Sequence, residues 1–182
     1  LPELNDEFAQ DTTEFESLAE LKADVKAKLE KDAEEEAKRQ MRDAAVAKVA
    51  EGVEVEIPNS MVEAQMDRML NDLNMQLSYQ GWSIEQFAEL SGQSMEEIRE
   101  ARREDALNIV KSTLVVEEIA ELENVEVSQE DLDKDLEKFA AMYQIDIEKV
   151  KKSLQPEDIE NISNRIRSEK TVDLILDAAV VK

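Results

Sequence analysis

The sequence predicts an all-α fold: an elongated multi-helix domain with one long bridging helix and two helical arms. Three observations carry this expectation. Only 3 Gly and 3 Pro interrupt 182 residues, too few for the tight turns of a β-sandwich or for a glycine-rich phosphate loop. The remainder is rich in Ala, Glu, Lys, Leu, Met and Gln, residues that favour helix. Apolar residues also recur at helical spacing between recognisable capping signals.

The elements follow in order. Residues 1–16 lack helical period and carry Pro2, Thr12 and Thr13, which predicts an extended lead-in. Ser17-Leu18-Ala19-Glu20 reads as a capping box that opens a long helix over 17–52, stopped by Gly52 in a left-handed conformation. Its start carries the stripe Leu18, Leu21, Val25 and Leu29, whereas Lys31 to Arg42 is polar on most of its circumference, as in a helix that bridges parts of a protein through solvent. The first arm, 53–93, begins with Val53-Glu54-Val55-Glu56-Ile57-Pro58, alternating like a short strand. Asn59 or Ser60 then caps a helix to Gly81, with Glu63 completing Ser60-Met61-Val62-Glu63, and Ser83-Ile84-Glu85-Gln86 starts a short one to Gly92. Ser94-Met95-Glu96-Glu97 opens a long body helix, 94–123. From Leu107 to Leu122 it is apolar on nearly all sides and should be buried between neighbours. The second arm, 124–155, repeats the pattern with Asn124-Val125-Glu126-Val127, a helix from Ser128 to about Tyr143, and a compact turn and helix. Pro156 opens the C-terminal helix, 156–182, with Ile159, Ile162, Ile166, Val172, Ile175 and Leu176.

Charge and missing residue types exclude whole classes of function. Lys and Arg number 22 against 45 Asp and Glu, a net charge of −23. Nucleic-acid binding needs clustered cations to displace counterions, and a membrane-surface helix needs a basic face, so neither partner is expected. The chain has no Cys and no His, which removes disulfides, zinc sites, thiol nucleophiles, Ser-His-Asp arrangements and Glu-x-x-His metal bundles. None of Gly52, Gly81 and Gly92 sits among spaced Asp residues as a calcium loop requires. A paired-carboxylate mechanism needs an apolar pocket to raise one pKa, and the sequence marks none. No catalytic, cofactor-binding or metal-binding residue is therefore assigned, and the chain is not expected to be an enzyme. No apolar run nears the ~20 residues of a membrane span, and the acidic opening Leu1-Pro2-Glu3-Leu4-Asn5-Asp6-Glu7 is no signal peptide. A soluble, cytoplasmic location is expected. The missing initiator Met points to a piece of a longer chain.

Apolar residues remain that the core stripes do not use. On the helix 60–80, Val62, Met66, Met69, Leu70, Leu73 and Leu77 share one face, while Met61, Met75 and Tyr79 fall together on roughly the opposite one. The second patch is either two-sided packing or a displayed surface, and Met suits the latter because its flexible, polarizable side chain accepts many partners. Trp82 either joins that display or closes the arm's own small core. The second arm offers Phe139, Met142 and Tyr143, followed by Ile145, Val150 and Leu154, although Leu132, Leu136, Phe139 and Tyr143 also make one stripe. Apolar patches framed by a charge of −23 describe a scaffold that binds apolar chain segments, its charge keeping copies apart.

Four stretches resemble a known family in succession. Leu1-Pro2-Glu3-Leu4-Asn5-Asp6-Glu7-Phe8-Ala9, Ile57-Pro58-Asn59-Ser60-Met61-Val62-Glu63, Ser91-Gly92-Gln93-Ser94-Met95-Glu96-Glu97-Ile98-Arg99 and Asn124-Val125-Glu126-Val127-Ser128 are similar to trigger factor, the bacterial ribosome-associated chaperone family. The resemblance covers essentially the whole chain and implies the C-terminal substrate-binding domain, of the trigger factor C-terminal and SurA-like fold. It implies an ATP-independent chaperone whose hydrophobic cradle, between two arms, holds unfolded or nascent polypeptides, prevents their aggregation and assists folding. Phe139 and Tyr143 match that family's apolar residue four before a Tyr, and Val150 with Leu154 extends the client surface. The client-binding set is thus Met61, Met75, Tyr79, Trp82, Phe139, Met142, Tyr143, Val150 and Leu154. The ribosome-binding and peptidyl-prolyl isomerase domains of the family are absent from these residues, so the resemblance implies ribosome contact only through the missing N-terminal domain. It also implies the family's wider association with protein transport and cell division. The family's linker that packs on this domain is missing too, leaving Leu1–Asp11 without an expected neighbour. A helical adaptor that binds one fixed folded partner is the alternative.

Overall fold

The computed structural model describes residues 4–179, so Leu1, Pro2 and Glu3 of the expected lead-in and the last residues of the expected C-terminal helix lie outside the described residues. Among the described residues the chain is all-α. Its helices are α1 (Asp6–Thr12), α2 (Leu18–Glu51), α3 (Asn59–Tyr79), α4 (Ile84–Ser91), α5 (Met95–Glu100), α6 (Arg103–Leu122), α7 (Gln129–Tyr143), α8 (Ile147–Ser153) and α9 (Pro156–Ala178). Two compact units result, Leu1–Ala44 and Ala45–Lys182.

In the first unit, helix α1 replaces the extended lead-in. Asn5 caps it by accepting from the Phe8 N–H at 2.9 Å, and Asp6 and Glu7 lie in the first turn, where the helix dipole favours acids. Thr12 and Thr13 do not break it early, because their hydroxyls donate back to Phe8 O and Ala9 O, each at 2.6 Å. Two bonds tie α1 to the start of α2: the Leu18 N–H donates to Asp6 Oδ1 at 2.9 Å, and Gln10 Nε2 donates to Glu16 O at 2.8 Å. Ser17 accepts from the Glu20 N–H at 3.2 Å, as a cap should. The Glu20 carboxylate takes the N–H of Glu16, at 3.1 Å, one residue earlier than a standard capping box requires. Nearly every residue from Val25 to Ala44 is exposed. What sustains α2 there is helix propensity, with a minor contribution from exposed ion pairs such as Lys28–Asp24 (2.8 Å) and Arg39–Glu36 (2.7 Å).

The second unit has three small cores. Val46, at the end of α2, packs with Val116 of α6 and Ile175 of α9. Val62 and Met66 of α3 pack with Ala106 of α6, and Ile57 and Met69 lean on them. Leu136 and Ala140 of α7 pack with Val150 of α8, supported by Ile147, Leu154 and Ile162. Helix α6 therefore serves two cores, one at Ala106 near its start and one at Val116 toward its end. Its burial is nevertheless incomplete: Val110, Val115, Val116 and Ala120 are buried, but Leu107, Ile109 and Leu122 are exposed.

Three local expectations are corrected. The body helix 94–123 is two helices, broken at Ala101 and Arg102. Arg102 Nη1 donates to Ile98 O at 2.6 Å, and its own N–H turns to Arg99 O. Gly52 is not left-handed; α2 ends in a tightened turn with Gly52 N–H to Val49 O and Val53 N–H to Ala50 O. Asn124, the matching position in the repeat, does adopt positive φ (50°), so the two copies end their helices by different means. Residues 53–58 and 125–127 form no strand, because no second extended segment lies alongside to share their hydrogen bonds.

Candidate functional site

The surface of the second unit is built on α3, α6 and α7. On α3, the register of Val62 and Met66 against α6 turns the opposite face outward. Met61 and Met75 are exposed there, and Tyr79, near the C-terminal end, is 86% exposed. Leu70, Leu73 and Leu77 are half-buried, so the core stripe thins along the helix. Gly81, at φ 78°, lets the chain turn after α3, and Trp82 beyond it is exposed; Ile84 and Ala88 of α4 are buried instead.

On α7 the packing divides the expected stripe. Leu136 and Ala140 face α8, which leaves Phe139, Met142 and Tyr143 outside, Met142 at 75% exposure. The Phe139 and Tyr143 rings lie 4.8 Å apart by centroid and are tilted by 46°, an arrangement favourable for aromatic pairs. Val150 is the clear departure from the expected client set. It is 8% exposed within the α7–α8 core, because Ile147, Val150 and Leu154 form the apolar stripe that seats α8. Leu154 packs against the same core and lines a crevice of about 280 Å³ with Leu132, Leu136 and Ile162. Val150 is closed off in this packing, whereas Leu154 is half-buried and faces the crevice.

A groove that the sequence reading missed runs beside α6. Val49, Val53 and Val55 form one wall and Leu114, Ile119 and Leu122 the other, enclosing about 490 Å³, with Glu54 and Glu118 in its lining. Leu114 also lines a second cleft of about 370 Å³ that includes Met61 and Val110. That cleft is of mixed character, with Arg68, Thr113 and Glu117 beside Met61 and Val110, and it shares Leu114 with the groove. The alternation Val53-Glu54-Val55 was the available signal, since it puts both valines on one side of an extended segment. The first unit has an apolar groove of its own, about 520 Å³, lined by Leu4, Leu18, Leu21, Val25 and Leu29.

Charge holds these helices in place. Glu63 of α3 accepts from Arg103 at 2.6 Å and from Arg99 at 2.5 Å. Hydrogen bonds from Arg103 first, then Arg99, hold its carboxyl down to about 2; Arg99 is raised by its bonds to Glu63 and then Asp67, and Arg103 by its bonds to Glu100 and then Glu63. On α7, Asp131 meets Lys170 of α9 at 2.9 Å, and Asp135 meets Arg165 at 2.5 Å. Lys170, then the Ser128 backbone and hydroxyl, keep the Asp131 carboxyl well below the usual carboxylate range. These carboxylates are spent on ion pairs, and among the described residues no group of three Asp or Glu is placed to hold a metal ion. No described helix is long and apolar enough to cross a membrane.

Fold and surface together define a helical scaffold that leaves apolar side chains accessible within an acidic frame. Residues 17–177 match the family profile described as the C-terminus of bacterial trigger factor protein. The chain is 49% identical over 181 residues to trigger factor of Clostridioides difficile (strain 630), covering 100% of this chain and 42% of that protein. It is 45% identical over 175 residues to trigger factor of Thermoanaerobacter sp. (strain X514), covering 96% and 40%. Among solved structures it resembles trigger factor domains from Thermotoga maritima, with 26% identity and TM-score 0.59 over 79% of this chain and 83% of that one. A trigger factor structure described for promiscuous substrate recognition in folding and assembly matches with 27% identity and TM-score 0.57, over 98% of this chain and 43% of that one. The chain belongs to the trigger factor family of chaperones. It spans about two fifths of the length of these curated relatives.

Proposed function

We propose that this chain captures unfolded or nascent polypeptide by burying client side chains on its own exposed apolar surface, without ATP, so that the client does not aggregate. The observation that carries the reading is the apolar groove between Val49, Val53 and Val55 and Leu114, Ile119 and Leu122, which shares Leu114 with the cleft that holds Met61. Met75, Tyr79 and Trp82 on the α3 side, and Phe139, Met142 and Tyr143 on α7, supply further contact points. Each client side chain removed from water contributes roughly 25 cal/mol per Å² of apolar area, offset by the entropy of ordering it. Single sites are then weak and exchange quickly, and several engaged by one client gain from effective concentration. Glu54 and Glu118 in the groove lining, within a net charge of −23, keep the groove hydrated when empty and discourage self-association. We assign neither prolyl isomerisation nor ribosome docking to these residues, and place the activity in the bacterial cytoplasm.

The test is suppression of aggregation. A client diluted from denaturant should stay soluble in the presence of this chain without any nucleotide, while the same client already folded should show no binding. Saturable binding to one folded protein, with no effect on unfolded ones, would support a fixed-partner adaptor instead.

A further inference from the structure

The seven methionines fall into two populations. Met66 is 0% exposed, enclosed with Val62 and Ala106, and Met69 packs against the same cluster. Met75 is 56% exposed, Met142 more so, and Met61, Met41 and Met95 are exposed as well. With no Cys in the chain, the thioether is the side chain most readily oxidised by peroxide. Three of the exposed methionines, Met61, Met75 and Met142, lie on the surface assigned above to client capture.

We propose that Met61, Met75 and Met142 form an oxidation-sensitive modification site, at which peroxide converts the thioethers to sulfoxides and switches capture off while the fold persists. The proposal rests on the capture reading. In the step itself the sulfur lone pair attacks one oxygen of hydrogen peroxide. An S–O bond forms, the O–O bond breaks, and the second oxygen leaves as hydroxide, which takes the proton of the newly formed S–OH cation, giving the sulfoxide and water. Sulfur is oxidised by two electrons and peroxide is reduced by two. The product side chain is polar and a hydrogen-bond acceptor, so an apolar client group pressed against it gains little. Met66 is exempt at low dose because peroxide cannot reach it. A sulfoxide there would bury a polar oxygen without a donor, which an apolar core does not tolerate. Accessibility thus separates loss of capture from loss of fold, and accessible sulfoxides remain within reach of methionine sulfoxide reductases.

The test treats the full chain with graded hydrogen peroxide, removes the oxidant with catalase, and adds an unfolded client that contains neither Met nor Cys. Peptide mass spectrometry should show Met142 and Met75 oxidised well before Met66. At that dose the client Kd should rise about tenfold, the size of effect expected from losing the burial of one large side chain, with helix content and Tm unchanged. The variant M61L/M75L/M142L has no oxidisable sulfur at these positions, and its client Kd, whatever its untreated value, should not rise further at the same dose. M41L/M95L should lose capture as the parent does, and reductase treatment should restore it. Capture that survives full oxidation of the three methionines overturns the proposal alone, as does equal loss in the triple Leu variant. Failure of the untreated chain to bind the client overturns the capture reading and this proposal with it.

Discussion

The α3 and α7 regions use the same materials in different ways. Helix α3 has its core only near its beginning, where Val62 and Met66 meet Ala106, and its stripe thins toward the exposed Tyr79. Helix α7 has a partner of its own: α8 covers Leu136 and Ala140 with Val150, so its exposed Phe139, Met142 and Tyr143 sit on a locally closed core. Each is anchored by acids of its own to cations of another helix, Glu63 to Arg99 and Arg103, Asp131 and Asp135 to Lys170 and Arg165. The difference shows that display can be made in two ways. A helix can run beyond its core, or a closed hairpin can leave one face bare.

Breaking the cores should give the largest effects. Met66→Ala removes a fully buried side chain and should cost roughly 2–5 kcal/mol in urea unfolding. Amide exchange should accelerate along α3 and the neighbouring turns of α6. Leu136→Ala should cost a similar amount, but its exchange should accelerate in α7 and α8 and leave α3 protected. Spread of either effect across both regions would deny the local closure of the α7–α8 core.

A smaller effect is expected from the α3 anchor. The folded-state carboxyl of Glu63 titrates at about 2, against an ordinary 4.5. A depressed pKa means the anchor stabilises the fold fully above pH 4.5 and fades as pH falls toward about 2. Glu63→Gln should lower the unfolding midpoint at neutral pH and flatten its dependence on pH across that window. A mutant profile parallel to that of the parent would show that the Arg99–Glu63–Arg103 contact contributes nothing.

The smallest effect on stability, and the most informative, concerns the display itself. Replacing Met75 and Tyr79 together by Ser should change unfolding stability by no more than about 0.5 kcal/mol, as exposed positions usually do, while client affinity falls. Phe139→Ser should behave in the same way, apart from the Tyr143 ring contact it removes. Loss of several kcal/mol with normal client binding would make these residues ordinary packing.

Much of this was legible in the sequence because the signals were local. The Ser83, Ser94 and Ser128 capping boxes each appear as reciprocal hydrogen bonds, and the two faces of α3 follow from helical spacing alone. Asn5 carries the same kind of signal for α1, which the reading of 1–16 from Pro2 and the two threonines left unused. What the sequence hid depends on distant partners. The break at Ala101–Arg102 comes with Arg99 and Arg103 reaching α3, and no periodicity reports that. The groove between Val53 and Leu114 joins segments far apart in the chain. The burial of Val150 could have been found, since Ile147, Val150 and Leu154 already made a stripe for one small helix.

The central claim is that the side chains that hold the fold and those that meet the client are different sets. Methionine methyl groups report on both, so one spectrum of methyl-labelled Met, titrated with an unfolded client, tests it directly. Met61, Met75 and Met142 should shift or broaden while Met66 stays in place, and the folded form of the same client should move none of them. Shifts at Met66 alongside an unmoved Met75 and Met142 would contradict the account.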